Sequence, residues 1–199
     1  MNIQFLRLAA SGLLTLGTTG GIFALNALSP VNLLSLSAQP TSQQALAQAS
    51  EEEVNVRVYQ QASPAVVSID TGSGTGSGSI ITADGLILTA AHVVQDAQTV
   101  RVTLSDGRRV EGDVIGFAES GVDLAAVRLR NQSNLPTIPL ASASSVAVGQ
   151  RAFAIGNPFC RFQNTFTNGI VSRIDANRGL IQTNAAINPG NSGGPLLNR

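Results

Sequence analysis

Residues 99–116 read Thr-Val-Arg-Val-Thr-Leu-Ser-Asp-Gly-Arg-Arg-Val-Glu-Gly-Asp-Val-Ile-Gly, and their pattern is that of a β-hairpin. Apolar and polar residues alternate over 99–104, which turns one face of a strand to a core and the other to solvent. Ser-Asp-Gly at 105–107 supplies residues that favour a tight turn. A second alternating run follows at 109–116. The stretch therefore predicts two antiparallel strands joined by a short turn.

Short runs of the same kind recur on both sides of this hairpin. They are rich in β-branched residues, and turn-forming residues separate them. These further strands are predicted at residues 65–69, 78–82, 86–89, 124–129, 151–155, 164–171 and 179–183. Strands this short and regular predict an all-β fold, either an antiparallel barrel or a sandwich. The connector 131–139, which contains two prolines, divides the strands into two sets.

Two segments fit the strand pattern less well. Residues 54–61 follow three glutamates and fit a short helix, but the alternation of their valines fits a strand equally, so both stay open. Residues 72–78 are glycine-rich but lack the Gly-Lys-Ser/Thr ending and the glycine spacing of phosphate-binding loops. We predict a flexible turn between strands there.

The composition excludes several kinds of function. Of the 199 residues, 43% are hydrophobic and 12% are charged, and the formal net charge is zero. No block of basic residues is present to contact phosphates, so we expect no nucleic acid partner. The sequence has one cysteine, Cys160, so no internal disulfide can form. Together with the one histidine, His92, it cannot supply the ligands of a zinc site. We therefore expect no metal site.

The first 47 residues are typical of an export segment. Arg7 is the last charge before Glu51, and residues 8–28 are largely apolar. Ala-Leu-Ala at 45–47 supplies the small residues found at signal-peptide cleavage sites. The alternative is an uncleaved membrane anchor through residues 8–28, which are about long enough to span a bilayer. Under either interpretation, the rest of the chain is exported to the far side of a membrane.

Three residues carry the candidate chemistry. Ser192 lies in Gly-Asn-Ser-Gly-Gly-Pro at 190–195. The flanking glycines leave space around its hydroxyl and allow the backbone to direct several N–H groups toward one point, as an oxyanion hole requires. A serine nucleophile needs a base, and His92 is the only histidine. We expect its small apolar neighbours to dehydrate His92 partly and keep it neutral. Asp123, which leads into an apolar strand, is the best candidate for the carboxylate that fixes the imidazole tautomer.

Each of these residues also has an ordinary structural interpretation. A serine among glycines is usually a loop residue, a single histidine among apolar residues usually belongs to a core, and an aspartate before a strand usually caps a turn. Their occurrence together, in the order His, Asp, Ser, favours a catalytic triad over three unrelated roles.

The motifs around these residues resemble those of the trypsin-like serine proteases. The segments that carry the resemblance are Thr-Ala-Ala-His at 89–92, Asp-Leu-Ala at 123–125 and Asn-Pro-Gly-Asn-Ser-Gly-Gly-Pro at 188–195. Other segments are similar, more narrowly, to the HtrA/Deg envelope proteases of bacteria and organelles, and the segment at 162–167 is similar to cyanobacterial members of that group. These are Ala-Ile-Gly-Asn-Pro-Phe at 154–159, Gly-Ile-Val-Ser at 169–172, Ala-Ala-Ile-Asn-Pro at 185–189 and Phe-Gln-Asn-Thr-Phe-Thr at 162–167.

The resemblance implies a pair of antiparallel six-stranded β-barrels with the active site between them. Residues 1–47 would be the signal peptide or membrane anchor. Residues 48–140 would form the first barrel, with His92 and Asp123, and residues 141–199 the second, with Ser192. The sequence stops seven residues after Ser192, so we expect an incomplete second barrel without a PDZ domain, as in a C-terminally truncated family member.

The resemblance also implies an ATP-independent serine endopeptidase that cleaves unfolded or damaged proteins in the periplasm or the thylakoid lumen. His92 would be the general base, Asp123 its orienting carboxylate and Ser192 the nucleophile, with the backbone N–H groups of Gly190 and Ser192 as the oxyanion hole. The triad needs no cofactor, and the family commonly forms homotrimers. The alternative is a catalytically inactive, truncated relative that binds unfolded segments, or a non-functional fragment.

Three further positions bear on this resemblance. Ala186 lies six residues before Ser192, where enzymes that cleave after Lys or Arg carry Asp, so we expect a pocket for small or medium aliphatic side chains. Cys160 stands where the family usually has Gly, and a cysteine with positive φ would be strained by roughly 1 kcal/mol or more. Asn184 stands where the family usually has Asp.

Overall fold

Six antiparallel strands form a closed barrel in the first part of the described chain. The computed structural model describes residues 42–119, 121–157 and 164–198, all within one compact unit. The barrel strands are β1 (Val66–Asp70), β2 (Thr75–Ile80), β3 (Leu86–Thr89), β4 (Thr99–Thr103), β5 (Arg109–Phe117) and β6 (Ala125–Leu129). Their order is β1-β2-β3-β6-β5-β4, and β4 pairs with β1 to close the barrel. The hairpin predicted at 99–116 is confirmed, with Val102 opposite Val110.

The period-two pattern explains the barrel core. In β4, Val100 and Val102 are buried, whereas Arg101 between them is exposed. Ile69 of β1 and Val127 of β6 are completely buried. Burying a side chain of this size contributes about 1.5–3 kcal/mol, so alternation along each short strand is enough to define which face turns inward.

A second sheet of four strands carries the C-terminal part of the described chain. It consists of β7 (Arg151–Gly156), β8 (Thr165–Asp175), β9 (Leu180–Thr183) and β10 (Leu196–Leu197), in the order β10-β7-β8-β9. The all-β prediction is confirmed, and within the described residues the second sheet has fewer strands than a six-stranded barrel. Strand β10 pairs with β7, with Leu196 opposite Ala154, so the chain leaving the Ser192 loop is fixed to this sheet.

A helix precedes the barrel and resolves the alternative left open for residues 54–61. These residues belong to α1 (Ser42–Ala62), which a 3₁₀ turn at Ser63–Ala65 follows. Val58 and Ala62, one helical turn apart, are buried, and this helical spacing explains why the helix forms instead of a strand. Tyr59 packs edge-on against Phe166 of β8, with ring centroids 5.7 Å apart. The helix therefore contacts the second sheet as well as the barrel.

The predicted export segment falls largely outside the described residues. Residues 8–28 lie outside the described residues, whereas the predicted cleavage segment 45–47 lies within α1. Within the part of the chain that the structure describes, no helix is both long and apolar enough to span a bilayer. The signal peptide therefore stays a prediction.

The prediction of a flexible turn over residues 72–78 is wrong for its second half. Strand β2 begins at Thr75, and its glycines serve close packing. A Cβ added to Gly76 would lie 2.7 Å from Val93, and one added to Gly78 would lie 2.7 Å from Ile87. Glycine is needed there because neighbouring side chains occupy the space of a Cβ atom. Only residues 71–74 form the turn between β1 and β2.

Candidate active site

His92 lies on the short helix α2 (Ala91–Val94), immediately after strand β3. Its ring Nδ1 is 2.6 Å from Oδ2 of Asp123, and its backbone N–H donates to Oδ1 of the same carboxylate at 2.9 Å. Because an ionised carboxylate only accepts hydrogen bonds, this arrangement assigns the ring proton to Nδ1. Nε2 is then the acceptor of the neutral ring, as a general base requires.

Asp123 lies in the loop between β5 and β6, two residues before β6 begins. The backbone N–H of His92, followed by its ring, holds the pKa of Asp123 below its ordinary value of 3.8, although desolvation acts in the opposite direction. Hydrogen bonds to the charged form stabilise it, so this carboxylate stays ionised as the pH falls. The loop thus presents a charged partner to the imidazole.

The partial dehydration expected of His92 extends to about half of its side chain. The side chains of His92 and Asp123 are 54% and 55% exposed. The reason is the position of α2: the apolar residue Val94 turns into the core, whereas His92 projects from the opposite side of the same turn. The structure brings His92 and Asp123 together at the surface.

The loop that carries Ser192 packs against the residues that lead into α2. The carbonyl oxygen of Ser192 accepts the backbone N–H of Ser77 at 2.8 Å. A Cβ added to Gly193 would overlap the Ser77 carbonyl oxygen and the Thr89 hydroxyl, and would lie 2.8 Å from the backbone nitrogen of Ala90. The Ser192 loop therefore lies against the segment that precedes His92. Within the described residues, no hydrogen bond joins Ser192 Oγ to His92 Nε2. Such bonds are often long before substrate binds.

The backbone of this loop leaves hydrogen-bond donors free. Gly190 has φ +100°, which glycine adopts without strain. The N–H of Asn191 donates to Asn188 and the N–H of Gly194 donates to Asn191, but those of Gly190 and Ser192 donate to no other described residue. Unpaired donors close to a nucleophile can stabilise an oxyanion.

The segment before the loop is held to β8 by polar contacts. The carbonyl oxygen of Ala186 accepts the hydroxyl of Thr167 at 2.9 Å, and Ala186 itself is exposed. Asn184 Oδ1 accepts the backbone N–H of Ile170 at 2.8 Å. An aspartate oxygen could accept the same bond, so the change from the family's usual Asp preserves this contact. Cys160 lies outside the described residues.

A cavity of about 540 Å³ lies next to this site but is separate from the reacting groups. It reaches Asp123, and its apolar lining includes Ile138 of the connector, Leu140 just after the connector and Leu196 of β10. Neither His92 nor Ser192 lines it. Within the described ranges, no group of three or more His, Cys, Asp or Glu residues could hold a metal ion.

Ser77 is the residue at this site that sequence reasoning missed. It bonds the Ser192 loop through its backbone and its hydroxyl, yet it lies in the glycine-rich run interpreted as a turn. The alternating Gly-Ser-Gly-Ser at 76–79 fits a close-packed strand and was the available signal.

Comparisons with known proteins relate the chain to a single family. A model of the trypsin-like peptidase domain matches residues 76–199. HhoA of Synechocystis sp., which is named as a serine protease, is 51% identical over 137 residues, covering 63% of this chain and 34% of HhoA. A DegP-like serine endoprotease of Halomonas elongata, named as periplasmic, is 44% identical over 129 residues, covering 62% of this chain and 27% of that protein.

A solved structure shares the fold. The crystal structure of the serine endoprotease from Yersinia pestis matches with a TM-score of 0.66 at 36% identity, covering 72% of this chain and 53% of that one. The chain spans about a third of the length of the curated relatives it matches. The domain model covers more than half of the chain and includes His92, Asp123 and Ser192. The chain therefore belongs to the trypsin-like peptidase family, within its HtrA/Deg group of serine proteases.

Proposed function

We propose that this chain is a serine endopeptidase in which Ser192 is the nucleophile, His92 the general base and Asp123 the carboxylate that orients the base. The observation that carries the proposal is that Asp123 accepts both the ring Nδ1–H of His92 at 2.6 Å and its backbone N–H at 2.9 Å. An imidazole bound in this way cannot turn its ring, and it keeps one nitrogen free to accept a proton. Membership of a protease family supports the same assignment.

The reaction follows from these positions. His92 Nε2 takes the proton of Ser192 Oγ as the oxygen attacks the carbonyl carbon of the peptide bond. The negative charge on the carbonyl oxygen is bound by the N–H groups of Gly190 and Ser192. His92 then gives its proton to the leaving amine, and the C–N bond breaks to leave an acyl-enzyme on Ser192. A water molecule, deprotonated by the same nitrogen, releases the acid and restores the hydroxyl.

Water is the only co-substrate of this reaction, which is therefore ATP-independent. The proposed substrates are unfolded or damaged proteins, as the resemblance to the HtrA/Deg proteases implies. Ala186 offers no carboxylate to a basic side chain, so we propose a preference for small or medium aliphatic residues. Cleavage of matched peptides after Val and after Arg tests this preference, and faster cleavage after Arg would contradict it.

Export is proposed from the apolar, uncharged segment before Glu51. The relative from Halomonas elongata, named as periplasmic, supports the same location, and the periplasm or the thylakoid lumen is the proposed compartment. Sequencing the N-terminus of the protein isolated from its host tests cleavage near residue 47: an intact Met1 would favour the membrane anchor. A homotrimer, implied by the family, is checked by light scattering of that protein.

Replacing Ser192 with Ala tests the proposed nucleophile. We expect a fluorophosphonate probe to label the unsubstituted protein covalently, because only an activated serine reacts with it. Ser192→Ala should lose the label completely, whereas Ser172→Ala, which removes an exposed serine from β8, should keep it. Mass spectrometry of the labelled peptide identifies the modified residue. An unsubstituted protein that binds unfolded polypeptides but takes up no probe would instead be the inactive binder.

A further inference from the structure

Ser77 of β2 joins the first barrel to the loop that carries Ser192. It is completely buried. Its hydroxyl donates to the carbonyl oxygen of Gly190 at 2.7 Å and accepts the backbone N–H of Asn157 at 2.9 Å. Its backbone N–H donates to the carbonyl oxygen of Ser192 at 2.8 Å, and its own carbonyl oxygen accepts the hydroxyl of Thr89 at 2.7 Å. One residue thus bonds both the loop of the nucleophile and the strand that leads to the base.

The direction of the bond between Ser77 and Gly190 is set by the other partners. A serine hydroxyl has one hydrogen to donate. The backbone N–H of Asn157 can only donate, so the Ser77 oxygen accepts there and sends its hydrogen to Gly190. Asn157 is fixed in turn, because its Nδ2 donates to Val67 at 2.8 Å and its Oδ1 accepts the N–H of Asn164 at 2.8 Å. The hydroxyl cannot rotate without leaving a buried polar group unpaired, which is unfavourable.

We propose that Ser77 is a positioning residue for the reaction, an inference that rests on the proposed serine protease function. It fixes the carbonyl groups of Gly190 and Ser192, which lie on two peptide planes. The N–H of Ser192 belongs to the plane between them. Because neighbouring peptide planes share a Cα atom, holding the outer two restricts where this N–H points. Ser77 therefore aligns an oxyanion donor as well as setting the loop against the residues before His92.

Ser77→Ala removes the hydrogen bond that the hydroxyl donates to Gly190 and the one that it accepts from the Asn157 backbone N–H, without adding any atom to the packed site. Loss of a direct oxyanion donor lowers kcat by about 10²–10³-fold, and misalignment of a donor should cost less, about 10–10²-fold. We expect KM to change little, because the N–H groups bind the charge that develops in the transition state. The matched control is Ser79→Ala on the same strand: Ser79 is also buried, but its hydroxyl bonds no other described residue. Its kcat should stay within about twofold of the unsubstituted value.

The experiment measures kcat per active site in the full chain, with the site concentration titrated by fluorophosphonate. A peptide boronic acid, whose tetrahedral adduct uses the oxyanion donors, supplies a second readout, and its Ki should rise by the factor by which kcat/KM falls. If Ser77→Ala only reduces the titrated fraction while kcat per site and Ki are unchanged, Ser77 has a structural role alone and the proposal is overturned. If the unsubstituted protein and Ser79→Ala take up no label, the proposed function fails, and the positioning role with it.

Discussion

Asp123→Asn is expected to lower kcat on a peptide substrate by roughly 10⁴-fold, with little change in KM. The asparagine oxygen can still accept the backbone N–H of His92, so the loop stays in place. Its NH₂ group faces ring Nδ1, however, and can only donate. Nδ1 must then be the acceptor, which moves the ring proton to Nε2, the atom that has to take the proton of Ser192. The ring is well placed but holds the wrong tautomer, so the defect appears in kcat.

Asp106→Asn is the matched control for this substitution. Asp106 also accepts a backbone N–H and a side-chain N–H from one residue, Arg108, at 3.0 and 2.7 Å. The same two kinds of hydrogen bond hold its pKa below the ordinary value. Asp106 lies in the turn between β4 and β5, so kcat should be unchanged. A loss of less than tenfold in Asp123→Asn, or an equal loss in both variants, would contradict a role for Asp123 in fixing the tautomer.

The strands were predictable where one face meets the core and the other meets water. The run at 99–104 carries this alternation, and its partner strand and turn follow directly. The pairing of His92 with Asp123, which are 31 positions apart, was predictable from family motifs, since nothing in the sequence between them indicates a contact. The order of the motifs in the family indicates that the two residues are partners, whereas hydrophobic periodicity describes only the local secondary structure.

The parts that could not be predicted depend on tertiary packing. Gly76 and Gly78 have the composition of a turn, and only the proximity of Val93 and Ile87 shows that they belong to a strand. The exposure of His92 depends on which side of a single helical turn faces the core. The role of Ser77 depends on partners more than 75 residues away, at Asn157 and Gly190. In each case, the residues adjacent in sequence do not indicate which distant residues will lie close by.

Gly193→Ala is expected to lower kcat by at least 10²-fold and to lower the melting temperature. Gly193 has φ +83°, a left-handed conformation that costs an L-residue about 1–2 kcal/mol. A Cβ there would also overlap the Ser77 carbonyl oxygen and the Thr89 hydroxyl, on the strands that flank the base. Either the Ser192 loop or the residues before His92 must move, and a displacement of about 1 Å can cost 10²-fold in rate.

Gly72→Ala separates backbone strain from this overlap. Gly72 has the same φ of +83°, but a Cβ added there would meet nothing within 4 Å. Both variants pay the cost of the left-handed backbone, and only Gly193→Ala pushes the nucleophile away from the base. We therefore expect Gly72→Ala to lose stability while keeping its kcat per titrated site. If Gly193→Ala also kept that kcat, the contact between the Ser192 loop and the Thr89–Ala90 segment would not set the catalytic geometry, and the close packing at Gly193 would serve stability alone.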